Sequence, residues 1–236
     1  MNILSIDTST KNFSLAVSKG GDVIVHRDVK LNGVLSSSII PKIDEILRQA
    51  RLTLKRIDGF GVGLGPGSFT SLRVGLSTVK ALAFATRKPV VGISSLDIIA
   101  KAITGAAEKD ICVMCDAKRN LVYACLYRLK GREVVKKSKY LLLPPKDLLG
   151  KIKRPTLFTG DAVGLYREEI LREVRQISAD APEGIFAGED LWYPQARYLA
   201  PLAYRKFQRR EEDAIDALVP IYLYPKDCQV RKHNSF

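Results

Sequence analysis

The sequence predicts an α/β protein built as two structurally related lobes, and three features of the chain lead to that fold class. Apolar strands and amphipathic helices alternate along the first 104 residues. A strand in which glycine recurs at every second position runs directly into a long helical segment. From about Asp110 the opening order of strand, acidic residue, polar turn and strand begins again. A length of 236 residues exceeds one typical domain of ~150 residues without reaching two, so two lobes of modest size are expected.

The opening residues give three strands: Asn2 to Ile6, Asn12 to Ser18, and Val23 to His26 after the Lys19-Gly20-Gly21-Asp22 turn. Over residues 36 to 51 the period changes. Ile39, Ile40, Ile43, Ile46, Leu47 and Ala50 share a helical face, while Lys42, Asp44, Glu45, Arg48 and Gln49 lie on the other. Ser38 is the expected cap, with Pro41 in the first turn, where an N–H has no intrahelical partner to lose. Gly59, Gly61, Gly63, Gly65 and Gly67 then put every glycine on one face of a strand and Phe60, Val62 and Leu64 on the other. Something must approach the bare face closely. A helix from Phe69 to Thr86 carries a small-residue stripe of Ser71, Gly75, Thr78 and Ala85 beside Val74, Leu82 and Phe84. Pro89 to Ile93 is another strand, and Ser94 or Ser95 caps a helix reaching Ile103.

In the second pass, Cys115 to Tyr127, the Lys130-Gly131 turn and Glu133 to Val135 echo Ile6 to Val17, the Gly20-Gly21 turn and Val23 to Val25. Each time an apolar strand ends in Asp, at Asp7 and Asp116. Thr156 to Thr159 is a strand ending at Gly160-Asp161, Arg167 to Arg175 is a helix, and Tyr198 to Arg210 is the last long helical pattern. The expected division is a first lobe over 1–104, a smaller second lobe over 105–225 whose helix near 198–210 is able to return to the first, and a loose tail over 226–236.

Composition narrows the function classes. No run approaches the ~20 apolar residues that span a bilayer, and the first 18 residues carry Asp7 and Lys11 where a secretory leader would be apolar, so a cytoplasmic protein without membrane contact is expected. Cys112 and Cys115 form a C-x-x-C, but residues three apart on a strand face opposite ways, and only His26 and His233 are available as imidazole ligands. No metal site is therefore expected. No G-x-S-x-G, H-E-x-x-H or Cys/His pairing supports nucleophilic catalysis, and no catalytic residue is assigned. The net charge of +13 is spread along the chain, densest at Lys130 to Lys139, and favours contact with polyanions without requiring it.

Two segments could carry chemistry. The loop Gly63 to Gly75, with Gly65, Pro66, Gly67, Ser68, Phe69, Thr70 and Arg73, leads a glycine strand into a helix N-terminus that favours an anion. It lacks the P-loop lysine and the last glycine of the dinucleotide fingerprint, and suits a tight structural turn equally well. Asp7, Thr8 and Ser9 follow the first strand; with Asp116 they could flank magnesium and phosphate in an interlobe cleft, or simply bond the backbone of their own turns.

Taken together, IDTST at 6–10, VGLGPGSFTSLRVGLSTVKALA at 62–83, GISSLD at 92–97, DAKRNLVYACLY at 116–127 and VPIYLYPKD at 219–227 resemble the bacterial TsaB family, also called YeaZ. The resemblance covers nearly the whole chain in order. It implies an actin-like ATPase, ribonuclease H-like fold of two lobes, each opening with a three-stranded unit. It also implies a non-catalytic subunit that pairs with TsaD, the relative that moves a threonylcarbamoyl group onto the adenosine beside the anticodon of tRNA. The ATPase TsaE and a TsaC-type synthase complete that pathway, with ATP and magnesium used by the partners and no cofactor for this subunit. The H-x-x-x-H metal motif of the TsaD branch is missing here, which argues against both the transferase and a metallopeptidase. By the resemblance, Ser36 to Ala50 and Phe69 to Ala85 dock on TsaD, with Ile39, Ile40, Ile43, Ser71, Val74, Gly75 and Thr78 at the interface, and Asp7, Thr8, Ser9 and Asp116 line a vestigial nucleotide cleft. tRNA is met through the complex, and pairing with a second copy stays open when the chain is alone. The chain departs from the family pattern at Ser71, usually glycine, and at LNGVLSS before the first helix, often bearing histidine. The competing function is an actin-fold small-molecule kinase using Asp7 and Asp116 around Mg-ATP.

Overall fold

The computed structural model describes residues 1–30, 33–105, 107–177 and 185–225; Cys228, His233 and the expected tail at 226–236 lie outside them. The first lobe runs β1 (Asn2–Asp7), β2 (Asn12–Lys19), β3 (Asp22–Lys30), α1 (Leu35–Gln49), β4 (Gly59–Gly63), α2 (Phe69–Thr86), β5 (Val90–Ile93) and α3 (Ser95–Ala102). The second continues as β6 (Lys109–Asp116), β7 (Val122–Lys130), β8 (Glu133–Lys136), β9 (Leu141–Leu143), α4 (Pro145–Leu149), β10 (Thr156–Thr159), α5 (Ala162–Leu165) and α6 (Arg167–Ile177), followed by α7 (Ala196–Gln208).

Each lobe is built on a five-stranded sheet. The first has the order β3-β2-β1-β4-β5, in which β1 to β3 form an antiparallel meander and β4 and β5 add parallel to β1. The β2–β3 turn needs positive φ at both central residues, 62° at Gly20 and 95° at Gly21, which glycine adopts without strain. The second sheet repeats the plan: β6, β7 and β8 form the meander, β10 lies parallel to β6, and β9 pairs with the early part of β7. Two such sheets give the two-lobed, actin-like form of the ribonuclease H-like fold.

Alternation along the strands divides the first sheet between two cores. Leu4, Ile6, Leu15, Val17, Phe60 and Val62 pack on α1 and α2, while Ile3, Val91 and Ile93 face Leu199, Ala203 and Phe207 of α7. The helix α7 is what approaches the glycine strand: a Cβ at Gly59 would stand 2.8 Å from the Phe207 ring, and one at Gly61 3.0 Å from Ala203. Between the lobes, Leu96 and Ile99 of α3 and Ile103 just after it share a junction core with Ile111, Val113, Tyr123 and Tyr127. The outer face of the second sheet buries Cys112, Met114 and Phe158 with Leu148, Val163 and Ile170 from its helices, so Cys112 and Cys115 do point opposite ways.

The start of α1 differs from expectation. The helix begins at Leu35, no side chain caps it, and the Ser37 and Ser38 hydroxyls donate back to the Val34 carbonyl at 2.9 and 3.1 Å. Pro41 therefore sits inside the helix, beyond the first turn, where its missing N–H removes an intrahelical bond. At α3, Ser94 is the cap, accepting from the Leu96 N–H at 3.3 Å.

Candidate functional site

Three sequence-distant segments meet in one buried hydrogen-bonded knot. Asp7, at the end of β1, is 1% exposed. Its Oδ1 accepts from the Ser9 N–H at 2.8 Å and the Ser9 hydroxyl at 2.7 Å, and its Oδ2 accepts from the Ser95 hydroxyl at 2.6 Å. Ser95 in turn accepts from the Gly65 N–H at 3.1 Å, while its own N–H and the Ser94 hydroxyl donate to the Gly65 carbonyl. The Ser68 N–H donates to the Ser9 carbonyl at 2.7 Å, and Thr8 donates to the Ser71 carbonyl at 2.8 Å. Gly63, Gly67 and Gly75 are small because Asp7, the Ser9 carbonyl and Thr8 occupy the space a Cβ would need. Burial pushes the Asp7 carboxyl above its ordinary range despite the bonds from Ser95 and Ser9 that favour the anion.

Beside the knot, a cleft of about 370 Å³ opens between the lobes, lined by Ser9, Lys11, Pro66 to Phe69, Cys115, Asp116, Lys118 and Asp161. Asp7 is not on its wall, so the structure does not set Asp7 against Asp116 across the cleft. Asp7 is covered instead by Gly63 and Ser95, and Thr8 is turned under α2. Asp116 is engaged as well: its carboxylate accepts from the Lys118 N–H at 2.8 Å and forms an ion pair with the Lys118 ammonium. The second carboxylate here is Asp161, which accepts from the Asp116 N–H at 2.9 Å and is raised by burial. The sequence signal for it was the strand ending in an acid at Gly160-Asp161, a third instance of the pattern at Asp7 and Asp116. Among the described residues, no three His, Cys, Asp or Glu side chains gather as a metal site. The signature loop forms the cleft rim: Phe69 is exposed, the Arg73 guanidinium stacks 3.8 Å over its ring, and Arg73 Nε donates to the Tyr222 hydroxyl at 3.1 Å. Thr70 is exposed beside them.

The helical face named from sequence divides in two. Ile39 and Ile43 are 1% and 4% exposed inside the core of the first lobe, and Gly75 is buried against Thr8, so none of the three can touch a partner. Any large side chain at Gly75 disturbs this lobe before it disturbs an interface. Ile40, turned about 100° around α1 from Ile39, stands 51% exposed, and Ser71, Val74 and Thr78 are half-buried on α2. Phe84, 78% exposed near the end of α2, is a further large apolar side chain left in water, on a sector of the helix turned away from Ser71, Val74 and Thr78; helical periodicity alone does not single it out.

Residues 34–225 match the family described as TsaD: tRNA N6-adenosine threonylcarbamoyltransferase. The tRNA threonylcarbamoyladenosine biosynthesis protein TsaB of Bacillus subtilis is 30% identical, over 72% of this chain and 75% of that protein. The chain belongs to the TsaB branch of this family. The TsaB protein of Haemophilus influenzae is 27% identical over 94% of this chain and 93% of its own length. Among solved structures, YeaZ from Pseudomonas aeruginosa superposes with a TM-score of 0.78 at 25% identity, covering 94% of this chain and 99% of that one. The similarity to TsaB thus extends through both lobes. Among the described residues no helix is long and apolar enough to cross a membrane.

Proposed function

We propose that this chain is the non-catalytic accessory subunit of a tRNA threonylcarbamoyladenosine synthesis complex, acting in the cytoplasm by docking the outer face of α1 and α2 on a TsaD-type transferase. The observation that carries this reading is the contrast between the two candidate surfaces. Asp7 is occupied by hydrogen bonds from Ser9 and Ser95, and Asp116 by Lys118, whereas Ile40 on α1 and Phe84 on α2 leave apolar area in water. A kinase using Asp7 and Asp116 around Mg-ATP finds no support in that arrangement. The chain also has only His26 and His233, too far apart to supply an H-x-x-x-H motif.

On this reading Ile40, Ser71, Val74 and Thr78 meet the partner, the lobes divide near residue 104, and a TsaE-type ATPase and tRNA are engaged by the assembled complex. The signature loop works as a structural turn that fixes α2 on the Asp7 knot, not as a phosphate cradle, because the Ser68 N–H is already bonded to Ser9 and Gly67 is pressed on the Ser9 carbonyl. The test is mass-spectrometric quantification of threonylcarbamoyl-adenosine in tRNA reconstituted with cognate TsaD, TsaE and TsaC-type proteins. Product should form only when this chain is added. Equal product with and without it would sink the accessory role.

A further inference from the structure

Away from the cleft and the docking face, a second charged site lies at the far end of the second sheet. Strand β6 runs from Lys109 to Asp116, so Asp110 sits at the end remote from the cleft that Asp116 lines. In the register of β6 and β7 it faces Arg128, which clamps it through Nε to Oδ1 at 2.6 Å and Nη2 to Oδ2 at 2.9 Å. A cavity of about 190 Å³ at this point is also lined by Lys137, Lys151, Lys153 and Arg154, and Asp110 is its one acidic residue. Those four exposed side chains make no hydrogen bond or ion pair among the described residues, so five cations surround a single carboxylate already held by one of them. Glu108 is the other acid whose charge reaches Arg128. The Arg128 hydrogen bond holds the Asp110 carboxyl below its ordinary range, and the charges of Arg128, Arg154 and Lys137 reinforce it.

We propose that this pocket binds phosphate groups of an RNA backbone. Two basic runs that are separate in sequence, one after β8 and one before β10, are brought together by folding, and an entering anion relieves the part of their mutual repulsion that Asp110 leaves uncompensated. The planar guanidinium of Arg154 and three ammonium groups match phosphate oxygens as donors. The single aromatic ring on the wall, Tyr127, is 3% exposed and offers no platform for a base, so the contact reads backbone and not sequence. The pocket is on the second lobe and α1 and α2 are on the first, so RNA and a docked partner can be held together. That the RNA is tRNA rests on the function proposed above.

The experiment is an anisotropy titration of fluorescent tRNA, across a range of salt, against the chain alone and against its complex with the TsaD-type subunit. Wild type is compared with the triple variant Lys151→Gln, Lys153→Gln, Arg154→Gln; all three side chains are exposed, so the core packing is untouched. The variant should bind about tenfold more weakly at low salt, with the slope of log affinity on log salt reduced by about one for each phosphate no longer neutralised, while co-elution with the partner is unchanged. An unchanged affinity and slope would overturn the pocket and leave the accessory role standing. Loss of partner co-elution would overturn it too, by reassigning the pocket to a protein contact. Displacement of tRNA by inorganic phosphate beyond that caused by chloride at equal ionic strength would identify a free-phosphate site instead. If the wild-type chain fails to support modification, the accessory role falls, whereas tRNA binding by the chain alone still reads the pocket.

Discussion

Asp7 shows how the same residue can be legible as chemistry and obscure as structure. A carboxylate after the first strand was readable in the sequence; its partner Ser95, 88 positions away, was not, because a contact at that separation depends on how the chain returns. Once both are placed, the carboxyl is fully buried and desolvation lifts its pKa, with the hydrogen bonds of Ser95 and Ser9 opposing. The folded chain therefore holds this proton more tightly than the unfolded chain does. Its contribution to stability is fully present below the unfolded carboxylate pKa and is lost as pH rises through the raised folded value. Asp7→Asn removes the titration at nearly constant shape. Urea denaturation from about pH 3.5 to pH 8 should show the variant gaining stability relative to wild type as pH rises from the unfolded carboxylate pKa through the raised folded value, with a constant difference once that value is passed. Parallel curves at every pH would mean that Asp7 titrates in the fold as it does in the open chain.

At the scale of elements, periodicity located α1, α2, α3 and α7 but did not say which sector of each faces the core. Ile39 and Ile40 are neighbours of the same residue type, yet one is 1% exposed and the other 51%. The shared helical face expected for them fails because a helix turns by about 100° per residue and the core accepts only one sector. The edge strand β3 extends to Lys30, four residues past the expected His26, because backbone pairing with β2 continues that far and Val29 packs with Val25 against the first-lobe core. The short β9 and α4 escape a reading by period for the converse reason: each is too brief to show one, and pairing to β7 and packing in the second lobe maintain them. If the outer face of α1 and α2 is the docking face, Ile40→Asp combined with Phe84→Asp should weaken association with the TsaD-type partner by about 2 kcal/mol, ~30-fold. Both positions are solvent-exposed, so the thermal midpoint of the isolated chain should stay within about two degrees of wild type. Isothermal calorimetry with the partner reads the first quantity and a melting curve the second; full affinity in the double variant would move the interface elsewhere.

For the whole molecule, the sequence repeat made the two meanders readable as an order of elements, but not how the lobes are joined. The join uses α3, the junction core and a C-terminal strap. In the strap, the Asp213 N–H donates to the Val90 carbonyl, the Ile221 N–H donates to the Leu64 carbonyl, and the Tyr224 hydroxyl reaches the Ala117 carbonyl at 2.7 Å. Asp97 on α3 is the polar centre of this join. Its two oxygens accept from the Tyr127 and Tyr140 hydroxyls, each at 2.7 Å, and Lys136 lies 3.3 Å away, so one carboxylate of the first lobe gathers three side chains of the second. Burial and then the Asp97 charge push both phenols well above their ordinary pKa, which keeps them protonated as donors throughout the accessible range. Asp97 is the polar part of a join whose other parts are the apolar junction core and the strap, so its share of the cooperativity between the lobes is open to measurement. Asp97→Ala leaves the buried Tyr127 hydroxyl without its acceptor and should cost about 2 kcal/mol. It should also separate the lobes energetically, so that scanning calorimetry, giving one transition for wild type with matching calorimetric and van't Hoff enthalpies, resolves two in the variant or a van't Hoff value below the calorimetric one. A single two-state transition at lower temperature would instead assign the coupling to the apolar junction around Leu96, Ile99 and Tyr123, with Asp97 adding stability but no cooperativity.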